Sequence, residues 1–487
     1  MSAAAPSTPF DGRVVIVGAS LAGLRAAEAL RAEGFAGPLA LIGDETLPPY
    51  DRPPLSKSVL TGDLPADHTT LAQLRPIGAE WLLGVPAAGL ELPNRVVHLA
   101  DGRRVVFDRL LIATGTRARA WPDSQQAALN GVFTLHTRED AARLRARLVT
   151  GPGRVLVIGG GFTGSEVAST CREIGLAVTL TERSAAPLAG ALGAAAGAVA
   201  AQLQRQHGVD LRCNVTVLAL EGDAAGRLRR AHLSDGDVVE VDVAVVALGA
   251  VRNIEWLQGS GLAADARGVV CDGACRAFNT DAIVTDDVFV AGDAARWPHP
   301  LYDGELIAVE HWGNAVEQEA TAAHNMVCGP AERRGHSILP AFWSNQFGLN
   351  IKSVGLPTVA EEIVVTQGRV PEGRFVAAYG KRGRIVAALA VNMARWLPAY
   401  QALIEARAAF PPDLHAGDAP AELRPVPAGF PTPGEATHSP SAAVTGPGPA
   451  TPPRPAAVGP LSDPRVPPGA MPLSAAPQPS GAVADDH

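Results

Sequence analysis

Two glycine-rich turns stand where a chain could hold phosphate. The first reads Gly18-Ala-Ser-Leu-Ala-Gly23 and the second Gly159-Gly-Gly161-Phe-Thr-Gly164. Outer glycines permit a tight turn and close helix–strand packing, and a small middle residue lets backbone N–H groups approach a pyrophosphate. The second turn is complete. In the first, Ser20 takes the middle place, and its small hydroxyl can itself meet a phosphate. The candidate phosphate positions are therefore Gly18, Ser20, Ala22 and Gly23 on one turn, and Gly159, Gly161 and Gly164 on the other. An acid closes the strand after each turn, Asp44 and then Glu182. A carboxylate at that point accepts from a ribose hydroxyl, and at Glu182 it repels a 2′-phosphate, which favours NADH over NADPH.

The elements that must position these residues follow from the pattern around them. Arg13–Gly18 is an apolar strand, Leu21–Gly34 an Ala/Leu/Arg helix, and 38–44 a second strand. The same order recurs with a strand from Arg154, a helix over Thr163–Gly175 and a strand over 177–182. Two βαβ nucleotide units in one chain imply two dinucleotides. Further apolar strands stop at glycines: 109–115 at Thr114-Gly115, 241–249 at Gly249, and 283–293 at Gly292-Asp293. The pattern predicts a long helix over 305–326, then an α+β region over 341–410 that ends in a helix around 394–409. Arg52-Pro-Pro-Leu-Ser-Lys57 lies shortly after Asp44 and, read alone, is a stiff loop with a solvated lysine.

Composition bounds the rest. Of the 41 prolines in 487 residues, 20 fall from Pro411 onward, so the end of the chain differs in kind from the body. That stretch, 411–487, cannot bury enough apolar area to offset its ordering entropy and is expected to be a Pro/Ala-rich disordered tail. A net charge of −8 gives no global attraction for nucleic acid. Cys171, Cys213, Cys271, Cys275 and Cys328 form an odd, sparse set, as expected of reduced thiols in the cytoplasm. The N-terminal residues lack a basic stretch followed by an apolar one, so no secretory signal is expected, and no apolar run reaches about 18 residues, so no membrane span is expected. His299, His311 and His324 are scattered without ligand spacing, so no metal is expected.

Taken as a set, several segments carry a family resemblance: VGASLAG (17–23), PYDRPPLSK (49–57), LLIATG (110–115), IGGGFTGSEVA (158–168), LGAVRN (248–253), VAGDAARWPHP (290–300), VEHWGNAVEQ (309–318), FWSNQ (342–346) and AALAVN (387–392). The chain resembles the FAD-dependent pyridine-nucleotide oxidoreductases. Within them it is most similar to the putidaredoxin-reductase-like ferredoxin reductases that serve oxygenases. The resemblance spans residues 13–410. It implies an α/β fold of two Rossmann-like, glutathione-reductase-like dinucleotide domains with a small α+β reductase C-terminal domain. The expected boundaries are 1–118 with 251–327 for FAD, 119–250 for NAD, and 328–410 for the C-terminal domain.

The resemblance also implies roles. Gly18, Ser20 and Gly23 would cradle the FAD pyrophosphate, with Asp44 on the adenosine ribose and Ala87 giving a backbone contact to adenine. Arg52 and Lys57 would contact the flavin half, Asp293 the ribityl chain, and Trp312 the ring. Lys57 would lie near the reactive flavin edge, paired with Glu166. Five departures stand out: Ser20 for a glycine, His136 for an arginine, Asn345 for an aspartate, Lys352 for a glutamine, and Glu319 for a glycine.

Cysteines separate the subclasses. A disulfide reductase needs a redox pair beside the flavin, and the only close pair, Cys271 and Cys275, precedes the third FAD segment. The expected activity is therefore NADH to FAD, then single electrons to a small iron–sulfur ferredoxin of [2Fe–2S] or similar type that feeds an oxygenase. Alternatives are an NADH oxidase, a rubredoxin- or nitrite-type reductase, or a slow redox-sensing interaction protein. Lys381-Arg382-Gly383-Arg384 is a candidate docking hairpin for an acidic ferredoxin, weighed against a plain solvated turn.

Overall fold

The computed structural model describes residues 10–414 and 423–430. The apolar run Val14–Val17 forms strand β1, Leu21–Ala32 forms helix α1, and Leu39–Ile42 forms β2. β1 pairs in parallel with β2 on one side and with β3 (Arg109–Ile112) on the other. The full sheet runs Arg276–Phe278, Val284–Val290, β3, β1, β2, Glu80–Leu82. Every residue of β1 and β2 is buried. Parallel strands covered on both faces read as unbroken apolar runs, which is why these segments do not alternate. Each buried Val, Ile or Leu contributes about 1.5–3 kcal/mol.

The second unit repeats the plan. β4 (Val155–Ile158), α2 (Phe162–Glu173) and β5 (Val178–Glu182) lie in a five-stranded parallel sheet ordered Asp210–Cys213, β5, β4, Val243–Val246, Val132–Thr134. The strands Thr116–Ala118 and Ala250–Arg252 pair antiparallel and form the double crossing between the two units.

The long helix, α3, spans Trp312–Val327 and not 305–326. Leu306–Ile307 instead pairs as a strand with Trp297–Pro298. His311 then caps the helix, its Nδ1 accepting from the Gly313 N–H at 3.2 Å. α3 packs against α1 beside the first sheet.

The C-terminal region is a six-stranded antiparallel sheet. Its first strand, β6 (Ala341–Gln346), lies on the edge, and the helix Leu397–Glu405 covers one face. The other edge corrects the expected limit at 410. Val426–Pro427 pairs with Glu362 and Ile363, so this part of the segment expected to be tail is the outer strand of the sheet. The rest of the expected disordered tail, 415–422 and 431–487, lies outside the described residues. Among those described, no helix is long and apolar enough to cross a membrane.

Candidate active site

β1 delivers the first glycine turn. Gly18 has φ +119°, and a Cβ on it would lie 2.0 Å from the Ala113 carbonyl oxygen. A Cβ on Gly23 would lie 1.9 Å from the Gly18 oxygen. Both ends of the turn are thus closed to any other residue. Ser20, by contrast, is extended (φ −107°), which explains why the middle glycine can be replaced. Its hydroxyl does not cap α1, so the first amides of this 12-residue helix are available to an anion.

A cavity of about 420 Å³ starts at this turn and continues past Asp44, Arg52 and His136 to Thr114, Gly115, Asp293 and Trp312. Its chemistry fits FAD. The uncapped α1 amides match a pyrophosphate. The Thr114 hydroxyl is buried without a partner, and the half-buried Asp293 lies in the same wall, a polar pair suited to a polyhydroxyl chain. Aromatic side chains close the far end: Trp343 lies edge-on to His311 at 4.5 Å and to Trp312 at 6.0 Å. Trp312 is fixed by its Nε1–H, which donates to Asp51 Oδ1 at 2.9 Å.

The charges in this cavity are held by neighbours that sequence reasoning passed over. Arg52 pairs with Glu45 at 2.6 Å and donates to the His136 carbonyl at 2.8 Å and to the Tyr50 hydroxyl at 2.9 Å. Burial, reinforced by the Arg52 charge, lowers the His136 pKa to about 4, so this ring is neutral at pH 7. Burial likewise lowers His311 to about 4. Asp293 moves the other way, raised to about 6 by burial and then by Glu310, while the Thr116 hydroxyl donates to it at 3.3 Å. Glu310 is paired with Arg252 at 2.9 Å. The Gly292 amide donates to Gln318 Oε1 at 3.0 Å. Beside Gln318, Glu319 is wholly buried and neither of its carboxyl oxygens has a partner.

Pro53–Ser56 forms a 3₁₀ turn whose prolines sit where no amide donor is needed. That turn presents Lys57, whose Nζ lies 2.6 Å from Glu166 Oε2. Two hydroxyls converge on the same carboxylate: Ser56 Oγ donates to Oε2 and Ser344 Oγ to Oε1, each at 2.6 Å. Ser56 and Ser344 both sit inside motifs visible in the sequence, RPPLSK and FWSNQ, but the motifs did not assign them a role.

The second turn differs in being exposed to a ligand on one side. A Cβ on Gly159 would lie 2.4 Å from the Ala247 oxygen, and one on Gly164 would lie 1.9 Å from the Gly159 oxygen, whereas one on Gly161 would meet nothing within 4 Å. At the end of β5, Glu182 accepts from the Gly160 N–H at 2.8 Å and the Ser184 N–H at 2.7 Å. The free amides of α2 and this carboxylate suit a second dinucleotide.

Not every expected residue comes together. Ala87 opens the strand Ala87–Glu91 and does not line the cavity. Gly249 has φ +86° and leads into the crossing strand Ala250–Arg252. Cys271 and Cys275 are wholly buried, do not line the cavity, and have their thiols pushed up by burial. The basic hairpin is largely compensated: Lys381 pairs with Glu305 at 2.5 Å and Arg382 faces Asp303 at 4.0 Å. Among the described residues, no group of three or more His, Cys, Asp or Glu is arranged to hold a metal.

Comparison with known proteins bears on this geometry. The pyridine nucleotide-disulphide oxidoreductase family profile matches residues 12–320, and a reductase C-terminal profile matches residues 341–426. The chlorobenzene dioxygenase ferredoxin reductase component of Cupriavidus sp. is 37% identical over 405 residues, covering 82% of this chain and 94% of that protein. The anthranilate 1,2-dioxygenase system ferredoxin–NAD(+) reductase component of Burkholderia cepacia is 36% identical, covering 81% and 94%. Putidaredoxin reductase of Pseudomonas putida is 33% identical, covering 78% and 89%. The solved covalent complex of putidaredoxin reductase with putidaredoxin superposes with a TM-score of 0.76 at 30% identity, covering 81% of this chain and 93% of that one.

Proposed function

The chain belongs to the pyridine nucleotide-disulphide oxidoreductase family, and from that premise we propose that it is an NADH-dependent, FAD-containing ferredoxin reductase. The observation that carries this reading is the Lys57–Glu166 pair. It joins the cavity of the first nucleotide unit to the helix that opens the second, where a flavin edge and a nicotinamide have to meet. FAD, when bound, supplies the conversion from a two-electron donor to one-electron delivery.

The chain's own residues do the positioning. Gly18, Ser20, Ala22 and Gly23 with the α1 amides hold a pyrophosphate, and Asp44 takes the adenosine ribose. Arg52, Thr114, Gly115 and Asp293 hold the flavin half, and Trp312 screens the ring from water. Lys57 would place a cation beside a bound flavin, where it would stabilise negative charge. Gly159, Gly161, Gly164 and Glu182 hold NADH. The FAD region is 1–118 with 251–327, the NAD region 119–250, and the C-terminal region begins at 328 and serves acceptor docking.

The acceptor is a ferredoxin. We take it to be a small iron–sulfur ferredoxin, and so a one-electron carrier that passes its electron to an oxygenase. All five cysteines are free, which supports a cytoplasmic setting. The test is direct. The purified chain is expected to be yellow, to bleach with NADH, and to reduce cytochrome c faster when a [2Fe–2S] ferredoxin is added. Cytochrome c reduction that ignores ferredoxin, with rapid peroxide formation, would sink the reading in favour of an oxidase.

A further inference from the structure

Glu166 is 7% exposed and sits in the first turns of α2. A carboxylate that far from water must have both oxygens satisfied. Oε2 has two donors, Lys57 Nζ and Ser56 Oγ. Oε1 has Ser344 Oγ alone. Ser344 is wholly buried and comes from β6, the edge strand of the C-terminal sheet. Its single proton has one direction to point, because Gln346 Nε2 donates to Ser344 Oγ at 3.1 Å and occupies the acceptor side of the hydroxyl. Two further bonds lock the same elements together. The Phe347 N–H donates to Ser169 Oγ at 2.8 Å, one helical turn beyond Glu166, and Thr170 Oγ1 donates to the Ser56 carbonyl at 2.8 Å.

We propose that Ser344 is a positioning residue for hydride transfer: the C-terminal sheet, through this one hydroxyl, fixes the rotamer of Glu166 and thereby the place of the Lys57 ammonium. This rests on the reading of Lys57 and Glu166 given above and deepens it. The C-terminal region then does more than receive the acceptor, because it completes the charge arrangement that the first two units share. Without Ser344, Oε1 of a buried carboxylate has no donor. The side chain must turn to find one, and its hold on Lys57 loosens.

The test uses the full-length holoprotein with S344A, S344T, E166Q, K57M and the S344A/E166Q double variant. Three readouts are followed: anaerobic flavin bleaching by NADH across pH, the pH dependence of the oxidised flavin absorption spectrum, and FAD content. S344A is expected to keep its FAD, bleach about tenfold more slowly, and alter the pH dependence of both the rate and the resting spectrum. S344T is expected to recover most of the rate. In the E166Q background, S344A is expected to add little further loss, as residues acting through one contact are not additive. Full multiplicative loss in the double variant, or an S344A protein with the parent's rate and spectral titration beside an impaired E166Q, would overturn the role of Ser344 alone. Parent-like rates in both K57M and E166Q would overturn the underlying reading with it. If S344A fails to retain FAD, Q346L provides the same test: it keeps the hydroxyl and removes the donor that orients it. A smaller loss in the same direction is then expected, and an unchanged spectral titration overturns the proposal.

Discussion

The Gly160 N–H donates to Glu182 Oε2 at 2.8 Å, so the acid that ends β5 is tied to the glycine turn that precedes α2. With the Ser184 N–H on Oε1, the carboxylate is held in one orientation and keeps lone pairs for a ribose. The fixed charge faces a 2′-phosphate wherever it faces a 2′-hydroxyl. E182Q keeps the shape and removes the charge. The ratio of kcat/KM for NADPH to that for NADH is therefore expected to rise about tenfold or more, in line with the roughly 1.5–3 kcal/mol of a hydrogen bond to a charged group. Steady-state kinetics with both nucleotides reads it, and an unchanged ratio would remove Glu182 from the nucleotide site.

The first turn makes opposite predictions for neighbouring positions. Ala at Gly18 or Gly23 would place a Cβ within 2.0 Å of a backbone oxygen, so G18A and G23A are expected to yield protein with little or no flavin. Ser20 is extended and meets no such limit. S20G is expected to fold and retain FAD, with at most a few-fold change in its dissociation. The flavin-to-protein absorbance ratio after gel filtration separates these outcomes.

What could be read from the sequence follows the range of the forces involved. The glycine turns, their flanking strands and the closing acids are local demands, and each declares itself within a few residues. The Lys57–Glu166 pair could be named because a family resemblance supplied it. The hydroxyls that hold Glu166 could not, since Ser344 lies 178 residues along the chain and looks like any strand serine. The sequence pattern extends α3 back to 305 because Leu306–Ile307 continues a helical pattern, while its partner, Trp297–Pro298, makes it a strand. Glu45 was passed over because Asp44, next to it, is the acid the βαβ pattern asks for.

The edge strand Val426–Pro427 is hidden in the sequence for a related reason. Pro427 argues against a central strand, but an edge strand tolerates a missing amide on its outer side. The Ala428 N–H donates to the Glu361 carbonyl, and the Ala194 N–H donates to the Ala428 carbonyl at 3.1 Å, so the segment also touches the second nucleotide unit. Ending the chain after 430 is expected to leave flavin content, NADH turnover and thermal unfolding unchanged. Ending it after 422 is expected to lower the unfolding midpoint by several degrees. Equal midpoints would show that residues 423–430 contribute no stability to the sheet.

Glu319 sets a pH dependence. It lies where α3 crosses α1, wholly buried, with its Oε1 4.0 Å from where a Cβ on Gly292 would stand. The groups around it are Asp293 and Glu317, both adverse, the Arg25 cation, and the Cys275 thiol. Arg25 is drawn toward Glu28, to which it pairs at 2.6 Å. Burial, with Asp293 nearby, raises the Glu319 carboxyl well above its usual 4.5. The sign follows from proton linkage. The folded chain holds this proton more tightly than the unfolded chain, so the stabilising effect is complete below 4.5 and is lost as pH rises. Asp293 acts in the same sense between 3.8 and about 6. E319Q fixes the neutral form of the first group and leaves the second. Its stability relative to the parent holoprotein is therefore expected to rise with pH above about 4.5, by at most ~1.4 kcal/mol per pH unit, until the folded carboxyl ionises. Denaturant titrations followed by flavin fluorescence between pH 5 and pH 9 measure that difference. A gap that stays constant across the range would show that Glu319 is not the titrating group.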